Sequence, residues 1–565
     1  MIRGAWSLLL IAGVACGPRS QPGDASWFRG HASAEESAPA ERLLVGLSVA
    51  EARAELAKPE AAPTQLIIAG NRLVGAGGAP TRAERARVEA AIDETSGAAL
   101  ARLWSQLDPL WPYHEVALRR GLIAEHARDP DEARRLLMLA QASPAAEAIA
   151  ARARRTIASI DARLEVDPRR IAVLLPLSGR YAAIGRELKS AIELAASVSR
   201  GAELTFLDTT GEADVAAALV ERAVLELHAV AVLGPVGASE SAAAAVRAVE
   251  LGVPIALLSP DHHGAAADVG VFRLWSSPEA EARDAVRVAG ELGYDRLAIL
   301  APRDEQGAAQ IAAFQDEARV RGLAVVASGH YEPSATDLAP DIEAFLGLDP
   351  RTNDRLRRHL ARYGVKKGRK TFSPDVPFEL LFVPDEYQRA ALVASYLPYF
   401  NVELRTYDVI DVDYLKRKHG GRVPRVVQLL GSSGWHHPGV IPRGGALLEG
   451  AMFLDVYAGA ADEQFATEAG ARFFEQFERR TGRPPSGVAA QAHDAALLVL
   501  RARAEAANHA GSRPRTARAE LIRSLQRGVL EDGACGEARV GPTGEIVRES
   551  VVLRIEGGQF VVPDP

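Results

Sequence analysis

The sequence predicts an α/β protein of doubly wound architecture in two lobes, preceded by an all-α domain. Three observations carry this expectation. After Asp167-Pro168, short β-branched and Leu-rich runs alternate with amphipathic helical segments. About eight strand–helix units follow, too many for one compact sheet with such loops, which argues for two similar lobes. Upstream, apolar residues recur at three-to-four spacing, the period of helices.

The chain's 565 residues leave room for three or four domains. Hydrophobic residues at 48% and charged residues at 25% are ordinary for a folded protein, so a buried core is expected. A net charge of -7 argues against a dedicated nucleic-acid binder, because phosphate binding needs surplus basic charge.

The first residues read as a targeting segment. Arg3 is a short positive start, and Ala5 to Val14 is an apolar run shorter than the ~20 residues that span a bilayer. Small residues then precede Cys16, in Gly13-Val14-Ala15-Cys16, and resemble a bacterial lipobox. That resemblance implies that residues 1–15 are a lipoprotein signal peptide, that Cys16 is lipidated, and that residues 16–40, small and polar, are a flexible tether. The other reading is an ordinary cleaved signal with an incidental Cys. With Cys16 lipidated, Cys535 has no partner for a disulfide, and two cysteines are too few for a Cys-based zinc site. No later segment has ~18 uninterrupted apolar residues, so the membrane is expected to be reached through the lipid alone.

Residues 41–165 are read as the helical domain. Ala117, Gly121 and Ala124 fall on one helix face and are small enough for two helices to approach closely. Asp129-Pro130 starts the next helix by capping and fixed φ. The stretch resembles helix-turn-helix repeats of the tetratricopeptide kind, with a plain helical bundle as the alternative.

From 168 to 565 the sequence predicts strands at 171–175, 204–207, 230–233, 254–258, 297–300, 324–327, 380–383 and 426–430. Between 273 and 297 a helix is expected with Ser277 as cap and Pro278 in its first turn, its face of Ala282, Ala285, Val286 and Ala289 turned to the sheet. The lobes are expected at about 168–276 with 446–530, and about 277–445 with the C-terminal tail. Ligands of open α/β sheets sit beyond the C-terminal ends of the strands. The cleft candidates are therefore Ser178, Gly179, Tyr181, Gly234, Ser239, Ser241, Ser259, Asp261, His262, Arg303, Asp304 and Trp435. Ser239 and Ser241 offer hydroxyls at a helix N-terminus for an anionic group. Trp435 reads equally as a buried anchor under a Gly-rich loop or as a stacking platform.

These segments, in this order, resemble the type I periplasmic-binding-protein superfamily. IAVLLPLSGRYAAIGRELKSAIELA is similar to its opening strand, loop and helix, AVLGPVGASESAAAAVRAVELGVPIALLSP to its second signature, and VFRLWSSPEAEARDAVRVAGELGYDRLAIL to its third. The resemblance covers nearly everything from Arg170 onward. Two branches compete within it: Leu/Ile/Val-type solute-binding proteins serving transporters, and LpoA-like lipoproteins, which activate penicillin-binding proteins. The lipobox, the helical domain, and the words SPEAEARDA, LAPRDEQG and AAFQDEA are closer to the second. So is the presence of Asp261, His262 and His263 where amino-acid binders have small residues and Thr, and of Gln306 where they have Tyr. The resemblance implies a two-lobed type I periplasmic-binding-protein fold and an exported lipoprotein on the periplasmic face. Gly17 after the Cys leans toward the outer membrane. The partner expected is a peptidoglycan synthase; the alternative is a solute receptor for an amino-acid-like ligand.

No enzyme, cofactor or metal is expected. Gly179 and Gly185 lack the Gly-Lys-Ser/Thr of a nucleotide loop, the pairs His262-His263 and His436-His437 lack ligand spacing, and no Gly-x-Ser-x-Gly elbow occurs. The basic run 351–370 reads as a solvated helix or as a docking arm for an acidic partner.

Overall fold

A computed structural model describes residues 46–127, 129–143, 146–199, 201–260, 265–406, 411–459, 467–510 and 514–563. Cys16, the signal segment and the tether lie outside these, as do Asp261, His262 and His263. The chain divides into two compact units, Met1–Asp161 and Ala162–Pro565.

The first unit is helical. Helices Val49–Ala57 and Arg82–Glu94 each begin with a capping box, Ser48 with Glu51 and Thr81 with Glu84, which satisfies orphan N–H groups at both starts. Ile67, Leu73, Leu100, Leu103 and Val116 form its core. Helices Tyr113–His126 and Pro130–Gln141 pack closely at Gly121, where a Cβ would stand 2.8 Å from Leu137 Cγ. Asp129 caps the second of these, accepting from the Glu132 N–H at 3.1 Å.

The second unit holds two large sheets and a small third one. The first consists of β1 (Asp167–Leu175), β2 (Glu203–Asp208), β3 (Ala229–Leu233), β4 (Ile255–Leu257) and β5 (Val271–Arg273), all parallel, in the order β2-β1-β3-β4-β5. The alternation of side chains along β1 divides the lobe's core. Ile171, Val173 and Leu175 pack to one face with Leu188, Ile192 and Leu497, while Ala172 and Leu174 pack to the other with Val220, Val224 and Ala248.

The second sheet contains β6 (Arg296–Pro302), β7 (Ala324–Tyr331), β8 (Leu380–Val383), β9 (Glu403–Leu404), β10 (Val426–Gly431) and β11 (Met452–Asp455). A small antiparallel sheet follows, β12 (Val529–Gly533), β13 (Gly536–Val540) and β14 (Ile546–Val547). The chain then returns to the second sheet as β15 (Val551–Glu556) and β16 (Gln559–Val561). The order there is β16-β15-β11-β10-β8-β6-β7, with β15 and β16 antiparallel and β9 beside β10. Again β6 sends Leu297, Ile299 and Ala301 to one core and Ala298 and Leu300 to the other. Ala282, Ala285, Val286 and Ala289 of helix Pro278–Glu291 are fully buried against this sheet.

All eight strands expected from the sequence are present. The lobe boundaries need correction. The span 446–530 was expected in the first lobe, yet β11 pairs with β10 and β15 and belongs to the second. The C-terminal tail was expected in the second lobe, yet Ala538, Val540 and Ile546 pack into the first lobe's core, and only β15 and β16 return. The chain thus crosses between lobes three times: after β5, after β11 and after β14. No helix among the described residues is long and apolar enough to cross a membrane.

The basic run forms helices Asp354–Tyr363 and Val365–Thr371. Leu356 is buried in the second lobe's core. Arg351, Arg355, Arg357 and Arg369 pair with Asp349, Asp375, Asp354 and Glu343, so part of the run's charge is balanced by the chain itself.

Candidate functional site

In the second sheet the strand order reverses between β6 and β8, the switch point at which α/β sheets open a crevice. The loops after these strands, Pro302 to Asp304 and Pro384 to Glu386, line a cleft of about 570 Å³ together with Ser432 to Gly434, His436 and His437 after β10. The first lobe contributes Pro260 after β4, Trp275 and Ser276 after β5, and Ser486 to Val488 with Gln491 from the start of helix Gly487–Ala510. The cleft therefore sits at the second lobe's switch point and beside the β4–β5 side of the first.

Four helices begin at this cleft: Pro278–Glu291, Glu305–Arg321, Tyr387–Tyr399 and Gly487–Ala510. Three of the four starts have a side-chain acceptor from the chain itself, and the Tyr387–Tyr399 helix has none. Ser277 Oγ accepts from the Ala280 N–H at 3.1 Å, Asp304 from the Gly307 N–H at 2.7 Å, and Ser486 Oγ from the Ala489 N–H at 3.2 Å. Gly307 is required there, since a Cβ would stand 2.1 Å from the Pro302 carbonyl oxygen. Asp455 lies against the fourth helix start, where a Cβ on Gly487 would be 3.2 Å from Asp455 Oδ2.

The lining is acidic. Among the described residues around the cleft are Glu281, Asp304, Asp385, Glu386 and Asp455, and no Lys or Arg. The Glu281 carboxylate accepts from the Ser433 hydroxyl, and burial pushes its pKa up to about 7, helped by the charges of Asp455 and Asp284. Asp385 is also raised by burial, although the Tyr331 hydroxyl donates to it. Glu386 is raised by burial and by Asp385 beside it. His436 Nδ1 lies 2.5 Å from Asp455 Oδ2, and His437 stacks on Tyr387 with centroids 4.2 Å apart. Across the cleft, the Ser276 N–H donates to Gln491 Oε1 at 3.2 Å.

Of the residues expected from the sequence, Asp304 lines the cleft, and Ser259 is buried one position before Pro260. The others are not brought to it. Ser178 is exposed with its N–H bonded to Asp208, Gly179 approaches the Thr210 carbonyl, and Tyr181 is exposed near Gly211. Gly234 lies against the Leu174 carbonyl, where a Cβ would meet it at 2.2 Å with φ +93. Ser239 is exposed and Ser241 is buried. All of these cluster at the first lobe's own switch point, between β1 and β3, and none of them lines the cleft. Arg303 is exposed and pairs with Asp341 at 3.5 Å. Trp435 is the anchor of the two readings: it is fully buried, packs where a Cβ on Gly431 would otherwise sit, and donates from Nε1 to the Val383 carbonyl at 3.1 Å. Asp261 and His262 lie outside the described residues.

The acids at Glu281, Asp385, Glu386 and Asp455 were missed. The repeated Pro-x-Asp and Pro-Asp after β6 and β8 was a legible signal for Asp385. No group of three or more His, Cys, Asp or Glu placed to hold a metal occurs among the described residues. Cys535 is buried and free, its thiol pushed up by burial and by Asp494.

Two lobes of mostly parallel sheet, a switch point in each, and three crossings of the chain between them are the features of a two-lobed α/β fold of the type I periplasmic-binding-protein kind. Residues 168–350 match the family model described as periplasmic binding protein. Among solved structures, a putative branched-chain amino acid ABC transporter protein from Rhodospirillum rubrum aligns at 20% identity and TM-score 0.52, over 70% of this chain and 99% of that one. An ABC transporter substrate-binding protein from Sphaerobacter thermophilus aligns at 19% identity and TM-score 0.50, over 70% and 97%. These likenesses are of fold. No curated protein matches the chain.

Proposed function

We propose that the Ala162–Pro565 unit is a receptor that captures a small polar molecule between its lobes, in the manner of the solute-binding proteins of ABC transporters, without a chemical step. The observation that carries this is the cleft of about 570 Å³, a volume in the usual range for small-molecule sites, lined by hydrogen-bonding groups from both lobes. The crossing after β5, which borders the cleft at Trp275 and Ser276, is suited to hinge closure around a ligand. The Rhodospirillum rubrum structure, described as a branched-chain amino acid transporter protein, supports an amino-acid-sized ligand. The short apolar run before Cys16 supports export, with the lipid on Cys16 holding the protein to the periplasmic face of the outer membrane.

A second reading is an LpoA-like activator that binds a peptidoglycan synthase. It is favoured by the helical unit, with its close helix pair at Gly121, for which a tetratricopeptide-like partner-binding role is proposed. The solved structures are themselves matched over 97–99% of their length while covering only 70% of this chain, so they leave much of it without a counterpart. Thermal-shift screening of the exported chain with small amines, amino acids and organic acids separates the two. A saturable shift supports the receptor. No shift with any compound, together with co-purification of a transpeptidase, overturns it in favour of the activator.

A further inference from the structure

We infer that the ligand of this cleft is a cationic amine, its ammonium groups received by the carboxylates of the second lobe, with the first lobe's Trp275 and Gln491 on the opposite wall. The inference rests on the receptor reading and names the ligand class of that same site. Five carboxyl side chains line the cleft, all from the second lobe and its edge, and among the described residues no Lys or Arg lines it. An ordinary zwitterionic amino acid would place its own carboxylate among these groups. Three of the helix starts that would otherwise attract such an anion already carry a capping acceptor, Ser277, Asp304 and Ser486, and Asp455 lies against the last of these; the fourth, at Tyr387, has no side-chain cap but directly follows Asp385 and Glu386.

A second, independent observation points the same way. Gln310 lines the cleft and is only 2% exposed, yet its Oε1 has no hydrogen-bond partner. Ser276 Oγ, also in the wall, is likewise buried without a partner. A buried amide oxygen left unpaired is costly, and a ligand N–H is the group that satisfies it. An ammonium offers three donors and no acceptor, which suits a wall of carboxylates and one unpaired amide oxygen. Trp275 adds aromatic surface in the wall, which favours a cation over an anion. The cleft's volume of about 570 Å³ leaves space for a diamine or triamine chain.

The test is isothermal titration of the full chain at pH 7.5 with spermidine, 1,4-diaminobutane, L-lysine, L-leucine and benzoate. We expect 1:1 binding of at least one of the first three. We also expect Glu281→Gln to weaken it at least tenfold and Gln310→Leu to weaken it severalfold, with both variants keeping the parent's circular dichroism. Binding of leucine or benzoate without any amine overturns the amine assignment and leaves the receptor reading standing. Binding of no compound overturns both. Amine binding that neither substitution changes places the amine elsewhere on the surface and overturns the assignment as well.

Discussion

Replacing Glu281 with Gln is expected to stabilise the protein at alkaline pH. The carboxyl is pushed from its ordinary 4.5 up to about 7 by burial and by the charges of Asp455 and Asp284. A folded-state pKa above the unfolded one means that the protonated form is favoured in the fold. Its contribution is therefore complete below pH ~4.5 and is lost as pH rises through about 7. The shift corresponds to about 3 kcal/mol of strain at pH 8, an upper bound for this half-buried group. Gln keeps an acceptor for the Ser433 hydroxyl and carries no charge, so the variant escapes that loss. Urea unfolding followed by circular dichroism at pH 5 and pH 8 measures it. The variant's midpoint should match the parent's at pH 5 and exceed it at pH 8. Equal midpoints at both pH values, or a variant less stable at pH 8, would refute the reasoning, because Glu281 would then be ionised at no cost.

The same group makes amine binding depend on pH. Between pH 6 and 8 spermidine affinity should rise about tenfold as Glu281 ionises, with Ser433, Asp455 beside His436, and Asp284 beside Arg287 around it; titration calorimetry in two buffers reads both the affinity and the released proton. Trp435→Ala should cost about 3–5 kcal/mol in denaturant unfolding, since it empties a fully buried site and orphans the Val383 carbonyl. Gly121→Val should lower the melting temperature of the helical unit, overpacking Leu137 by about 1–3 kcal/mol. Cys535 should react with a thiol reagent only after unfolding, because it is buried and its thiolate is disfavoured.

The edge strands β2 and β7 are half-exposed but were legible from their apolar runs, and most of the other legible strands are buried on both faces. Such strands, β3 with Ala229 to Leu233 or β8 with Leu380 to Val383, are continuous apolar runs and leave a plain signal. The strands that were missed are short or half-exposed. β5 has three residues, and β15, at the antiparallel edge, mixes Arg554 and Glu556 with its apolar positions. The site was harder for a different reason. Post-strand loops were weighted equally in both lobes, yet the cleft uses the switch point of only one. Its acids lie on segments as far apart as Glu281 and Asp455, and only the register of β6, β8, β10 and β11 brings those segments together. Trp435 read equally as a buried anchor and as a stacking platform because glycines flank it. Those glycines are the reason the ring can be covered, since the backbone at Gly431 leaves its space to the indole.

The three crossings also bear on how the protein is made. Neither lobe is one stretch of sequence, and the second sheet receives β15 and β16 only after the first lobe's small sheet has been built. During vectorial synthesis, the outer edge of β11 therefore stays open until β15 emerges. A nascent chain stalled or clipped before Val551 would display an unpaired strand edge, a template for association with other chains. Arrival of β15 and β16, more than completion of either core, is the step that covers this edge.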